Sequence, residues 1–165
     1  MLTKRLIVFV GIGVVLLAAV VFGVFTGNKG SHLELNGQVI KARTGALDES
    51  NSVALLDFRI SNPSNVSFVV RDVKATLEKA NGEKVEAQLT SKGDMNQLLQ
   101  YNKFLGVQYN DTLSIKDKVP ARGQIDRMVA ARFEVPQAEL DKGRAIVLWM
   151  QDMDGTEFSM THKIR

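Results

Sequence analysis

The sequence predicts an all-β domain, an antiparallel β-sandwich with one short helix, preceded by a single N-terminal transmembrane helix. Three observations predict it. An uninterrupted apolar run opens the chain, from Leu6 to Phe25. After residue 32, apolar and polar side chains alternate in seven or eight short segments, the period of a strand with one face buried. Turn signals separate those segments, and no long helical patterns stand between them, which argues against a parallel α/β sheet.

The apolar run comes first. Leu6–Phe25 contains no charged or polar side chain. At about 1.5 Å per residue it spans roughly 30 Å, the thickness of a bilayer's hydrocarbon core. In lipid every backbone group must bond within its own segment, so the run is expected to be helical. Lys4 and Arg5 precede it; the positive-inside rule places them in the cytoplasm and the remainder outside. A cleaved signal peptide is the alternative, but such peptides have apolar regions of about 7–15 residues and a small-x-small site, and no Ala-x-Ala triplet closes this run. Gly23 and Gly27 form one G-x-x-x-G spacing, although Gly27 lies beyond the apolar residues. Residues 1–5 read as a cytoplasmic stub, 6–25 as the anchor, 26–32 as a tether and 33–165 as one domain, a size that buries a core without staples.

Along that domain, residues 33–43 read as a first strand with Gly37 as a bulge, and 44–51 as a loop. In 52–61, Ala54, Leu56, Phe58 and Ile60 share one face while Asp57, Arg59 and Ser61 share the other. Asn62-Pro63-Ser64-Asn65 breaks this strand, because proline lacks the N–H a ladder needs. Residues 66–78 form the next, with Val69, Val73, Ala75 and Leu77 on one face. Asn81-Gly82, a pair that tolerates positive φ, turns the chain into a return strand carrying Val85, Ala87 and Leu89.

The period changes over 94–105. Asp94 followed by Gln97 resembles a capping box, Met95, Leu98, Leu99, Phe104 and Leu105 recur at helical spacing, and Gly106 suits the stop. This helix is expected to pack across one end of a sheet. A short strand follows at 112–117, then a longer one at 124–134 with Ile125, Arg127, Val129, Ala131 and Phe133 on one face. Pro136 ends it, and Gln137–Leu140 makes a helical turn. Residues 145–151 are apolar on both faces, which predicts a central strand. Met153-Asp154-Gly155 turns the chain, and Phe158, Met160, His162 and Ile164 alternate in the last strand.

One stretch resembles a known family. Phe58-Arg59-Ile60-Ser61-Asn62-Pro63-Ser64-Asn65, then Phe68-Val69-Val70-Arg71-Asp72-Val73, then Asn81-Gly82, is similar to the water-stress and hypersensitive-response (late-embryogenesis-abundant type 2) domain family. The likeness covers about residues 53–90; Ser64 stands where many members carry Asn. It implies an immunoglobulin-like β-sandwich and a role in protection against desiccation or osmotic stress, and it implies no catalytic residues.

The chemistry available is sparse. With no cysteine there is no disulfide, thiol nucleophile or lipid-modified Cys. The formal charge of +3 is accounted for by Lys4, Arg5 and Lys29; the domain is near neutral, without the basic stripe that phosphate neutralisation requires, so nucleic acid is excluded as a partner. His32 and His162 are too few for a zinc site. Asp152-Met153-Asp154-Gly155 resembles part of a calcium loop, but with Gly155 at position six, Met150 and Thr161 fall where ligands belong; a β-turn is the plainer reading. No G-x-S-x-G occurs. Gly11 and Gly13 lie within the span and cannot cradle a nucleotide. Asp57, Asp72, Asp126, Asp152 and Asp154 read as solvated surface charge, and Lys116, Asp117, Lys118, Arg122, Asp126 and Arg127 as a mixed-charge loop cluster or a partner patch. Asn65-Val66-Ser67 and Asn110-Asp111-Thr112 match the glycosylation sequon. No catalytic, cofactor-binding or metal-ligating residue is assigned. The partners expected are the lipid bilayer, through residues 6–25, and a protein of the cell envelope.

Overall fold

Two four-strand paths, each drawing strands from both halves of the chain, make up the domain. The computed structural model describes residues 13–15, 17 and 34–164. Residues 6–25 fall outside the described residues except for Gly13, Val14, Val15 and Leu17, which are helical; the tether and His32 also lie outside them. Among the described residues no helix is long and apolar enough to cross a membrane. Leu33–Arg165 forms a compact unit distinct from Met1–His32.

Within that unit the described strands are β1 (Asn36–Ala46), β2 (Ser52–Asn62), β3 (Phe68–Glu78), β4 (Lys84–Glu86), β5 (Gln88–Leu89), β6 (Lys118–Val119), β7 (Gly123–Phe133), β8 (Ala145–Asp152) and β9 (Glu157–Lys163). One sheet has the order β1-β2-β7-β5; the other has β4-β3-β8-β9, with β6 also pairing β3. All these strand pairs are antiparallel. The two inner faces close on a core that includes Leu56, Phe58, Ile60, Phe68, Leu77, Phe133, Leu148 and Met150. The fold is an antiparallel β-sandwich with short helices, and β8 lies between β3 and β9 as its two-sided apolar pattern predicted.

Two bulges set which side chains face in. The first falls at Ile40, between Val39 and Lys41, and not at Gly37, which pairs regularly with Ile60. Gly37 is where β9 comes close: a Cβ there would lie 2.5 Å from Phe158. Before Ile40, Leu35 and Val39 pack on the core; after it, Ala42 does. The extra residue switches parity and turns Lys41, Arg43 and Gly45 to the outer face. The second bulge falls at Arg71, between Val70 and Asp72. It lets Phe68 and Val70, then Ala75 and Leu77, all point inward, so Val69 is half-buried on the other side and not aligned with Val73 as the alternation suggested.

Several boundaries move for local reasons. In the β3–β4 turn only Gly82 has positive φ, +88°. Its N–H donates to Lys79 O, and Lys79 N–H donates to Glu83 O, so the hairpin is longer than a two-residue turn. The return strand divides: β4 pairs β3, whereas β5 pairs β7 in the opposite sheet. Helix α1 (Lys92–Tyr101) starts earlier than Asp94. Ser91 is its cap, the hydroxyl oxygen accepting from Asp94 N–H and the hydroxyl donating to the Asp94 carboxylate. A 3-10 turn, Lys103–Leu105, follows and closes at Gly106. The expected strand at 112–117 reduces to a bridge at Thr112 and the short β6. Helix α2 (Gln137–Asp141) follows Pro136.

Candidate functional site

The outer face of the β1-β2-β7-β5 sheet is where side chains depart most from the sequence reading. On β2 both faces are buried, not one. Val53 and Leu55, with Met128 and Ala130 of β7, form a second core with Met95 and Leu105. Helix α1 therefore lies on this face, and not across a sheet end, because four outward apolar side chains need a cover.

Beyond that cover, Asp57 is 2% exposed, which overturns its reading as a solvated charge. A buried carboxylate requires partners for both oxygens. Arg43 donates to one at 3.0 Å, and the Asn110 amide donates to the other at 2.9 Å. The Ile40 bulge makes the first contact possible by placing Arg43 on the outer face, diagonal to Asp57. The other terminal nitrogen of Arg43 donates to the carbonyls of Leu105 and Val107, while its buried Nε has no partner. The Tyr109 ring lies 4.7 Å from the guanidinium carbon and 4.2 Å from Lys41 Nζ. Phe104 rests on the backbone of Gly45, where a Cβ would lie 1.9 Å from its ring. Residues 103–110 thus form a strap over β1, clasped by a buried ion pair. Leu105 points in; Phe104, Val107 and Tyr109 are 60%, 63% and 57% exposed.

Beside α1, a groove of about 450 Å³ runs along β5, walled by Leu47, Gln88, Gln97, Tyr101, Asn102 and Arg132 among others. A second cavity of about 410 Å³ shares Gln88 and Arg132 and adds Glu86 and Glu134. The two adjoin at Gln88 and Arg132, and the first is lined by polar and apolar atoms in similar measure. Tyr101, 84% exposed, stands at its rim. Arg132 donates to the Asn51 side-chain oxygen at 3.1 Å. Asn51 also holds the Asp48 carboxyl below the usual carboxylate range, chiefly through its side-chain amide.

The mixed-charge cluster assembles only in part. Asp126 makes a two-pronged pair with Arg59, at 2.7 Å on each prong. The Arg59 side chain lowers the carboxyl's pKa through that bond, and the guanidinium's is raised in return. Arg127 shares the Ile125–Val129 face, as predicted, and pairs with Asp117 at 2.8 Å. Arg122 donates to Asn65, and Lys116 and Lys118 are exposed singly. Asp152 is buried, also against expectation: it accepts from Val69 N–H and from Asp154 N–H, and Gly155 N–H returns to its carbonyl, which makes a turn. Asp72 accepts from Val73 N–H. His162 is half-buried on β9. Among the described residues no group of three or more His, Asp or Glu could hold a metal. Of the two sequons, Asn65 is exposed, whereas the Asn110 amide is held by Asp57.

The sequence reading missed Arg43, Tyr109 and Tyr101. The signal available was Asp57 itself, a lone acid directly after the apolar run Val53–Leu56 and before Phe58.

Sheet order and outer-face cover together define a β-sandwich with a strapped face and an edge groove. No family model matches the sequence, and no curated protein matches it. Solved structures do match. The structural-genomics target SoR45 is 11% identical, with 80% of this chain and 81% of that chain covered and a TM-score of 0.36. An uncharacterised β-sandwich protein from Clostridium difficile 630 is 10% identical, with 80% and 82% covered and a TM-score of 0.35. Likenesses this low carry no argument about function.

Proposed function

We propose that this chain is a membrane-anchored, non-catalytic binding or structural module of the cell envelope, its N-terminus cytoplasmic and its sandwich outside. The observation that carries the reading is the uncharged run Leu6–Phe25 directly after Lys4 and Arg5. The domain is immunoglobulin-like. Supporting this, the order β1-β2-β7-β5 over β4-β3-β8-β9 follows the A-B-E-D over C′-C-F-G arrangement, with β4 and β5 as one strand that changes sheet. The groove along β5, with the cavity that adjoins it, is the place for a protein partner: together they offer amides, an arginine and carboxylates beside a sheet edge.

A photo-crosslinking residue at Gln97, in the full chain in its native membrane, tests this. The expected result is one reproducible adduct from Gln97 and none from Asp154 on the opposite sheet. No adduct from Gln97, or the same smear from both, removes the partner reading.

Protection against drying or osmotic stress is the second reading. The Asn62-Pro63 turn supports it: Asn62 is buried, its amide donating to Val66 O and Val119 O and its side-chain oxygen accepting from Ser64. Unchanged survival of a deletion strain after drying would discard it.

A further inference from the structure

We propose that the strap over β1 rests on an anionic lipid surface, with Phe104, Val107 and Tyr109 at headgroup depth and Lys41 and Lys103 against lipid phosphates. The proposal rests on the anchored reading above, which keeps the domain beside a bilayer.

The strap leaves three large apolar side chains outward within six residues, while Leu105 between them is buried. Ile40, at the bulge, is also exposed, at 51%, and precedes Lys41, whose Nζ stands over the Tyr109 ring. Large apolar side chains exposed this close together mark a contact surface.

Charge selects the partner. Lys41 and Lys103 are exposed and flank the apolar side chains. The carboxylate beneath them, Asp57, is sealed and neutralised by Arg43. The next exposed acid along the strap, Asp111, comes two residues after Tyr109. Aromatic rings with amphipathic edges, rimmed by lysine, are the composition that settles at the interface of a bilayer whose surface is anionic. The clasp supplies rigidity: because Arg43 pins the carbonyls of Leu105 and Val107, the side chains between and after them are held outward without the ordering cost of a free loop.

The chain has no native cysteine, so a single introduced one reports cleanly. Full-length Phe104→Cys and Asp154→Cys proteins, each carrying an environment-sensitive fluorophore, are reconstituted in vesicles of phosphatidylcholine alone or with phosphatidylglycerol. With the anionic lipid, the Phe104 label is expected to shift to the blue and to be quenched by headgroup nitroxides. The Asp154 label is expected to stay aqueous in both. In phosphatidylcholine alone, or with Lys41→Glu and Lys103→Glu, the Phe104 shift is expected to be lost. A chain washed off the vesicles at alkaline pH overturns the anchored reading and this proposal together. A chain that stays, with Phe104 as aqueous as Asp154, overturns the proposal alone. So does a Phe104 label shielded only in native membranes, which would assign the strap to a protein.

Discussion

Asp57 is a buried carboxylate that depends on its partners. Its side chain is 3% exposed and that of Arg43 is 14% exposed, so removing either partner strands a charge away from water. Asp57→Ala or Arg43→Met is expected to cost about 3–5 kcal/mol, whereas Arg43→Met with Asp57→Leu recovers most of that loss. Urea unfolding of the three variants checks this; equal losses for the double and single variants would mean that the pair stabilises the fold outright. Asp126 offers the contrasting case, since its pair with Arg59 is substantially exposed. Its carboxyl is more acidic folded than unfolded, so its contribution is present above the unfolded pKa and is lost as pH falls through the lowered folded value. Between about pH 5 and pH 2 the melting temperature of Asp126→Asn is expected to fall less steeply than that of the native chain; parallel slopes would contradict it. Neither pairing could be read from the sequence, because each joins residues that only sheet register brings together.

At the scale of elements, alternation located the long strands but not their parity switches. A bulge leaves no mark in composition: Ile40 follows Val39 in a strand of mixed polar and apolar residues, and Gly37, the residue that looks like a bulge, is instead a place where Phe158 packs close. The helix was visible through Met95, Leu98 and Leu99, yet its start was misplaced because Ser91 and Asp94 both offer caps, and only the hydroxyl of Ser91 meets a free N–H. Ser91→Ala is expected to cost about 1 kcal/mol. Gly82→Ala, forced to hold a φ of +88°, is expected to cost about 1–2 kcal/mol. Thermal unfolding measures both, and a neutral Ser91→Ala would place the helix start elsewhere. Gly45→Ala acts differently: its new Cβ displaces Phe104, so hydrogen exchange at 103–109 is expected to rise while the sandwich strands stay protected. Exchange rising throughout would show that strap and core are one cooperative unit.

For the whole molecule, the all-β class, the central place of β8 and the Asn62-Pro63 corner were legible, since each follows from local pattern. The division of one return strand between two sheets was not. Val85, Ala87 and Leu89 alternate without a break, and the change of sheet shows only in their partners, β3 for the first part and β7 for the second, which lie elsewhere in the chain. The strapped face was hidden for a related reason: covering it needs α1, 103–110 and β1 to meet, and periodicity within any one of them is silent about the others. The sandwich is therefore better determined by its sequence than the surfaces it presents.

On the anchored reading proposed above, those surfaces stand outside the membrane. Glu49→Cys, in the exposed loop between β1 and β2, puts one thiol on an otherwise cysteine-free chain. Intact cells are treated with a membrane-impermeant maleimide, then lysed and fractionated. Full labelling before lysis, on a chain that stays with the membrane after alkaline extraction, is the predicted result. A thiol that reacts only after lysis, or a labelled chain recovered in the soluble fraction, would contradict it.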